Sequence, residues 1–265
     1  MATSRSSPTS AAAGWRWALL GSLIGIALAV SFFAPARWLA AGLSQWTNGH
    51  LQLVNARGTV WTGTAGLVFA SGVGGAEPVS LPGTLGWTVR PRWDGVTAAL
   101  DIPCCAVKPL EFRARPRANG LELDWRDGQS RWPAALLTGF GAPWNTLKLE
   151  GMLDVSMQAF NLRWSGPRLA IAGRATLDAV DISSSLSTLR PMGSYRIALE
   201  GGSSPTILLT TLDGSLQLNG SGRWSGTALH FDGEASAAPG REDALSNLLN
   251  IIGRREGARS LITLG

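Results

Sequence analysis

The residues able to do chemistry in this chain are few, and the most conspicuous are two adjacent thiols, Cys104 and Cys105. Neighbouring Cα atoms sit about 3.8 Å apart, below the range of about 4.4–6.8 Å that most disulfides span. The preferred reading is therefore two small residues at a strand–loop junction after Pro103. A vicinal or intersubunit disulfide in an oxidising compartment is the alternative. A metal site lacks ligands, because the only histidines are His50 and His230 and there is no second thiol pair. The carboxylates Asp124 with Asp127, and Asp178 with Asp181, are close enough for acid–base work, but such spacing more often marks turns and solvated strand edges. His230 alternates with Leu229 and Phe231, which puts it on the polar face of a strand as a structural residue. Gly220-Ser-Gly222 with Gly226 approaches a dinucleotide fingerprint, yet it is one residue too long and leads into a strand rather than a helix. No Gly-x-Ser-x-Gly elbow, His-Glu-x-x-His or P-loop occurs. This reading assigns no catalytic residue, no cofactor-binding residue and no metal ligand, and it does not make the chain an enzyme.

Non-enzymatic roles depend on the elements that present a surface, and the first of these is apolar. Ala18 to Ala34 carries no charge and, as a helix, would rise about 26 Å, close to the thickness of a bilayer core. Trp15, Trp17 and Trp38 flank it, where amphipathic rings favour an interface. Arg5 and Arg16 precede it, and no acidic residue appears before Glu77. The expectation is a cytoplasmic, disordered tail over 1–14, a transmembrane helix over 15–38, and a periplasmic β-rich domain over 39–265. Two alternatives stay open. Ala34-Pro35-Ala36 could be the cleavage site of a signal peptide, and the run could be a buried core helix.

About 225 residues follow the apolar run, enough for one large β domain or two small ones. The chain has 45% apolar and 15% charged residues, which argues for a folded body. The net charge of +5 is distributed along the sequence with no basic cluster interleaved with aromatics, so nucleic acid is not an expected partner.

Within that body a Trp-x-Gly or Trp-x-x-Gly element recurs at Trp61, Trp93, Trp125, Trp164 and Trp224. The first three are evenly spaced and the rest are not, so the repeat is loose. Each lies between alternating apolar segments. Leu216-Gln-Leu218 before Trp224 and Ala228-Leu-His-Phe231 after it read as a hairpin. Asp213-Gly214 reads as a two-residue hairpin turn after Ile207–Leu212. Arg196–Leu199, Leu169–Ile171 and Leu261–Leu264 read as further strands. Short helices are expected near 132–138, opened by Pro133 and closed by Gly139, and over 242–252, where Leu245, Leu248, Leu249 and Ile252 share a face. The fold class is mainly β: a curved antiparallel sheet or open half-barrel, its 33 glycines suiting bends and bulges.

Several segments, taken together, resemble protein N of the bacterial type II secretion system. They are Leu53-Val-Asn-Ala-Arg-Gly-Thr-Val-Trp-Thr-Gly63, Gly141-Ala-Pro-Trp-Asn-Thr-Leu147, Leu186-Ser-Thr-Leu-Arg-Pro-Met-Gly-Ser-Tyr-Arg196, Leu212-Asp-Gly-Ser-Leu-Gln-Leu-Asn-Gly-Ser-Gly-Arg-Trp224 and Ala244-Leu-Ser-Asn-Leu-Leu-Asn-Ile-Ile-Gly-Arg-Arg255. The resemblance implies a single-pass inner-membrane protein with a periplasmic β domain. It also implies an accessory, structural part in exporting folded proteins across the outer membrane. Its partners would be other secretion subunits, the inner-membrane platform first and the outer-membrane channel second, with membrane lipid meeting the N-terminal helix. The alternative is an envelope protein that binds or transfers lipid along a curved sheet, which needs an uncovered apolar face.

Overall fold

The computed structural model describes residues 11–70, 78–166, 168–225 and 228–265, except that the side chains of 11–14, 16, 27 and 31 in the first helix and of 225 lie outside the description. Two helices come first, α1 (Ala11–Phe33) and α2 (Ala36–Trp46). They are separate because Pro35 disfavours a helical Ala34 and itself sits in extended backbone, at φ −71° and ψ 147°. The expected segment 15–38 is thus two helices with a break near its end, and residues 11–14 are already helical. The rest of the expected tail, 1–10, lies outside the described residues. Among the described residues no helix is long and apolar enough to cross a membrane.

Sixteen strands are described, all in one antiparallel sheet. In chain order they are β1 (Leu51–Gly58), β2 (Thr62–Phe69), β3 (Val79–Ser80), β4 (Leu85–Arg92), β5 (Gly95–Asp101), β6 (Leu110–Arg117), β7 (Gly120–Trp125), β8 (Gly128–Pro133), β9 (Glu150–Ser165), β10 (Arg168–Ser183), β11 (Gly193–Glu200), β12 (Thr206–Gly214), β13 (Leu216–Ser225), β14 (Ala228–Ala237), β15 (Arg254–Glu256) and β16 (Arg259–Leu264). A short 3-10 helix (Ala134–Phe140), α3 (Trp144–Leu147) and α4 (Glu242–Ile252) complete the elements. The order is a meander, β1-β2-β4-β5-β6-β7-β9-β10-β11-β12-β13-β14-β16-β15, with β3 beside β2 and β8 beside β9. β1 and β15 end it and do not meet, so the sheet is open. The mainly β, unclosed sheet expected from the sequence is what forms.

Registers fix which side chains share a face. Phe112 opposes Trp125, Leu123 opposes Leu162, Val155 opposes Leu177, and Leu199 opposes Ile207. One face is therefore apolar across the meander. It stays in phase through a bulge in the two longest strands, where Ala159 takes φ 46° and Gly173 takes φ 77°. A Cβ on Gly173 would lie 2.1 Å from the Ala159 carbonyl oxygen, so only glycine lets the strands pass.

The helices cover this apolar face from its two ends. α2 packs Ala36 and Leu39 on Ala65 and Trp87. α4 packs Leu245, Leu248 and Leu249 on Tyr195, Leu216 and Ala235. Full burial of each such leucine is worth about 1.5–3 kcal/mol. Hydroxyls tie the covering elements down. Ser260 Oγ donates to the Leu249 carbonyl at 2.5 Å, Ser187 Oγ to that of Ala244 at 3.1 Å, and Ser184 Oγ to that of Leu147 at 2.6 Å. The first of these satisfies a carbonyl in the last turn of α4, which has no partner within the helix.

Three local expectations need correction. The short helix expected near 132–138 is a 3-10 helix that begins only at Ala134, after β8 ends at Pro133, and it runs through Gly139 to Phe140. Asp213-Gly214 is not a two-residue hairpin turn. Both residues finish β12 against β11, opposite Ser194 and Gly193. β12 and β13 pair only from Leu209 and Gly220 outward, and the Thr211 hydroxyl bridges the splayed part by accepting the Leu218 amide at 2.6 Å and donating to its carbonyl at 2.9 Å. The splay turns Leu216 into the core, 3% exposed. Finally, Cys104 and Cys105 are joined as a vicinal disulfide with a Cα–Cα distance of 3.8 Å, and no free cysteine remains. A turn in which the amides of Cys105 and Ala106 both donate to the Ile102 carbonyl at 2.9 Å directs the two sulfurs toward each other.

Candidate functional site

The part of the apolar face that the helices leave open lies in the middle of the sheet. There β8 pairs with β9 and with no other described strand, and it parts from the start of β6. Two backbone bonds frame the parting, Arg126 N–H to the Glu111 carbonyl at 2.9 Å and Arg131 N–H to the Cys105 carbonyl at 2.7 Å. Between them is a groove of about 1100 Å³, floored by Leu110, Phe112, Leu123, Trp125, Val155 and Met157. Trp125 is held between Phe112 and Phe160, at ring-centroid distances of 6.3 and 5.6 Å. An Arg126–Glu111 ion pair at 2.7 Å and Lys108 edge its mouth. Such a groove accepts apolar chains or side chains.

The opposite face is polar and organised around one carboxylate. Glu122 opposes Arg115 on β6 and Arg163 on β9. Its side chain is only 4% exposed and pairs with Arg163 at 2.8 Å, with Arg115 at 3.6 Å and with Arg117. Hydrogen bonds from Arg163 and Arg117 hold its pKa down, to about 2, against the burial that would raise it. Arg115 also reaches Asp124 at 2.5 Å, and Arg113 reaches Asp94 at 2.5 Å, which lowers the Asp94 pKa as well. This ladder locks β6, β7 and β9 together, and the lowered pKa values of Glu122 and Asp94 suit a structural ion-pair network rather than a proton donor.

The residues singled out in the sequence are not brought together. Asp124 accepts from Asn161 and Arg115, while Asp127 accepts the Ala159 amide at 2.6 Å and fixes the β9 bulge. Asp178 is bound by both Nε and Nη2 of Arg196, and the Asp181 amide donates to Ser194 Oγ. His230 is exposed on β14, opposite Arg223, and His50 lies within 3.0 Å of the Ala70 carbonyl. Gly220 and Gly222 lie under the Phe231 ring and backbone, as strand residues, and Gly226 lies outside the described residues. Among the described residues no group of three or more His, Cys, Asp or Glu is placed to hold a metal ion. Two features escaped sequence reading. Glu122 belongs to no motif and is one charge in an alternating stretch, and the groove exists only because two strands separated in sequence part.

A family model described as type II secretion system (T2SS), protein N, matches residues 49–262. That span runs from just before β1 to β16 and so takes in the groove, the ion-pair ladder and α4. No curated protein and no solved structure matches significantly.

Proposed function

The chain belongs to the type II secretion system protein N family, and from that membership we propose an accessory, non-catalytic subunit of the inner membrane that supports export of folded proteins across the outer membrane. The family match over 49–262 carries this reading. The anchoring part is supported by α1, whose described apolar side chains are exposed on all sides, from Trp17 at 74% through Leu23 at 64% to Phe33 at 77%. A helix apolar all round needs a lipid or protein environment. On this reading α1, seven of whose side chains lie outside the described set, crosses the inner membrane and the sheet stands in the periplasm, where it meets other secretion subunits by shape and contact. Deleting the gene in the native organism tests it. Export of folded substrates falls, and the tagged protein co-purifies with platform subunits from the membrane fraction. Unchanged export with no co-purifying subunit overturns the proposal.

The open groove favours a second reading, an envelope protein that holds lipid. Its aliphatic and aromatic floor is the feature a lipid carrier needs and a fully covered sheet would lack. Native mass spectrometry of the gently extracted protein separates the two. Stoichiometric lipid lost on Val155→Arg supports the carrier, whereas a bare protein mass supports the scaffold.

A further inference from the structure

We propose that the end of the sheet from which α1 departs is a bilayer-facing rim, where exposed arginines and the exposed Trp93 at the hairpin tips engage an anionic phospholipid surface. The inference rests on reading α1 as a membrane anchor and goes beyond it by orienting the sheet.

Backbone bonding fixes where α1 leaves. The Val60 amide donates to the Ala34 carbonyl at 2.9 Å, and Pro35 bridges to Thr59, so the last residues after α1 are fastened to the β1–β2 turn. Antiparallel register then determines which other turns lie at that end. They are the tips closed by Arg92 with Gly95, Arg117 with Gly120, Ser165 with Arg168, Glu200 with Thr206, and Ser225 with Ala228. Four of the five recurring tryptophans sit there: Trp61, Trp93, Trp164 and Trp224. The fifth, Trp125, faces the groove instead. Trp93 is 96% exposed at the tip of its hairpin. A fully exposed indole at a hairpin tip suits the membrane interface, where its apolar body and N–H are both accommodated.

Charge at this end is one-sided. The side-chain carboxylates of Asp94, Glu122 and Glu200 near this end are paired, Asp94 with Arg113, Glu122 with Arg117 and Arg163, and Glu200 with Arg174. Arg57, Arg92, Arg168 and Arg223 are exposed and make no ion pair among the described residues. Unpaired guanidinium groups beside an interfacial indole complement phosphate-bearing headgroups, each worth roughly a five-fold change in surface affinity.

Fluorescence of the full-length protein in nanodiscs of phosphatidylcholine and phosphatidylglycerol tests this. Subtracting the emission of Trp93→Phe from that of the unaltered protein isolates Trp93, and the same subtraction with Trp17→Phe isolates a residue of α1. Brominated acyl chains are expected to halve the Trp93 component or more, and replacing Arg92, Arg168 and Arg223 by Ser, or removing the anionic lipid, to restore it. A Trp17 component that is quenched beside a Trp93 component that is not overturns the rim alone. If neither is quenched, the anchor reading falls with it. Shielding of Trp93 from aqueous iodide only when secretion subunits are added also overturns the rim and assigns it to a protein partner. Because Trp93 makes almost no contact with the fold, unchanged circular dichroism of Trp93→Phe keeps every outcome interpretable.

Discussion

Glu122 on β7 and Arg163 on β9 face each other on the polar side of the sheet, with 2.8 Å between Oε1 and Nη2. Arg117 binds the second carboxylate oxygen from β6. One nearly buried carboxylate thus clamps three strands at the middle of the meander, on the face opposite the groove.

The clamp predicts a pH dependence with a definite sign. The folded carboxyl titrates at about 2, below its ordinary value of 4.5. Its stabilisation is complete above pH 4.5 and is lost as pH falls toward 2. Urea unfolding at pH 7 should show Glu122→Gln weakened by about 1–3 kcal/mol. The gap between Glu122→Gln and the unaltered protein should then shrink steadily between pH 4.5 and 2. A gap that stays constant over that range would contradict the ion-pair account.

The α4 contact predicts a larger, pH-independent loss. Leu249 is 0% exposed, so Leu249→Ala should cost about 2–5 kcal/mol. Ser260→Ala removes the bond to the Leu249 carbonyl and should cost about 1 kcal/mol. The two residues belong to one contact, so the double variant should lose less than the sum, as a double-mutant cycle by chemical denaturation would reveal.

Tyr195 predicts the opposite direction. Its ring is 5% exposed in the core under α4, and its hydroxyl has no hydrogen-bond partner among the described residues. Burial raises its pKa, which keeps the phenol neutral. Tyr195→Phe removes an unsatisfied buried group and should leave stability unchanged or raise it by about 1 kcal/mol. A clear fall in the unfolding midpoint would show that the hydroxyl has a partner.

The vicinal disulfide predicts little thermodynamic effect. It closes the shortest loop a chain can form, so the chain-entropy gain is about 1 kcal/mol. Alkylation of the native protein should label no thiol before reduction and two after it. Cys104→Ser together with Cys105→Ala should shift the urea midpoint only slightly, because Cys105 contributes to the core mainly as a small apolar residue.

Gly173 predicts a loss without any change in side-chain contacts. Its φ of 77° and the 2.1 Å approach of a Cβ to the Ala159 carbonyl make Gly173→Ala strained, at about 1–3 kcal/mol. Thermal unfolding should register that loss. A neutral result would mean that the bulge can relax.

Local patterns in the sequence carried α4 to the residue, because its leucines recur at helical spacing and Gly253 stops it. The alternation around Trp224 carried β13 and β14 in the same way. Asp213-Gly214 misled because a turn signal describes only the chain next to it, and here the pairing of β12 with β11 kept both residues in a strand. α2 was hidden, since its apolar residues continue those of α1 and only Pro35 separates the two.

The sequence alone determined the alternation that makes a two-faced sheet, the apolar character of Ala18–Ala34, and the absence of a catalytic motif, because each is set by residues near one another in the chain. Tertiary structure decided which carboxylate would be clamped and where the sheet would part. It also decided that arginines and tryptophans dispersed from Arg57 to Trp224 would gather at one end. Those outcomes depend on strand register, which is the sum of many distant pairings and is written in no single segment.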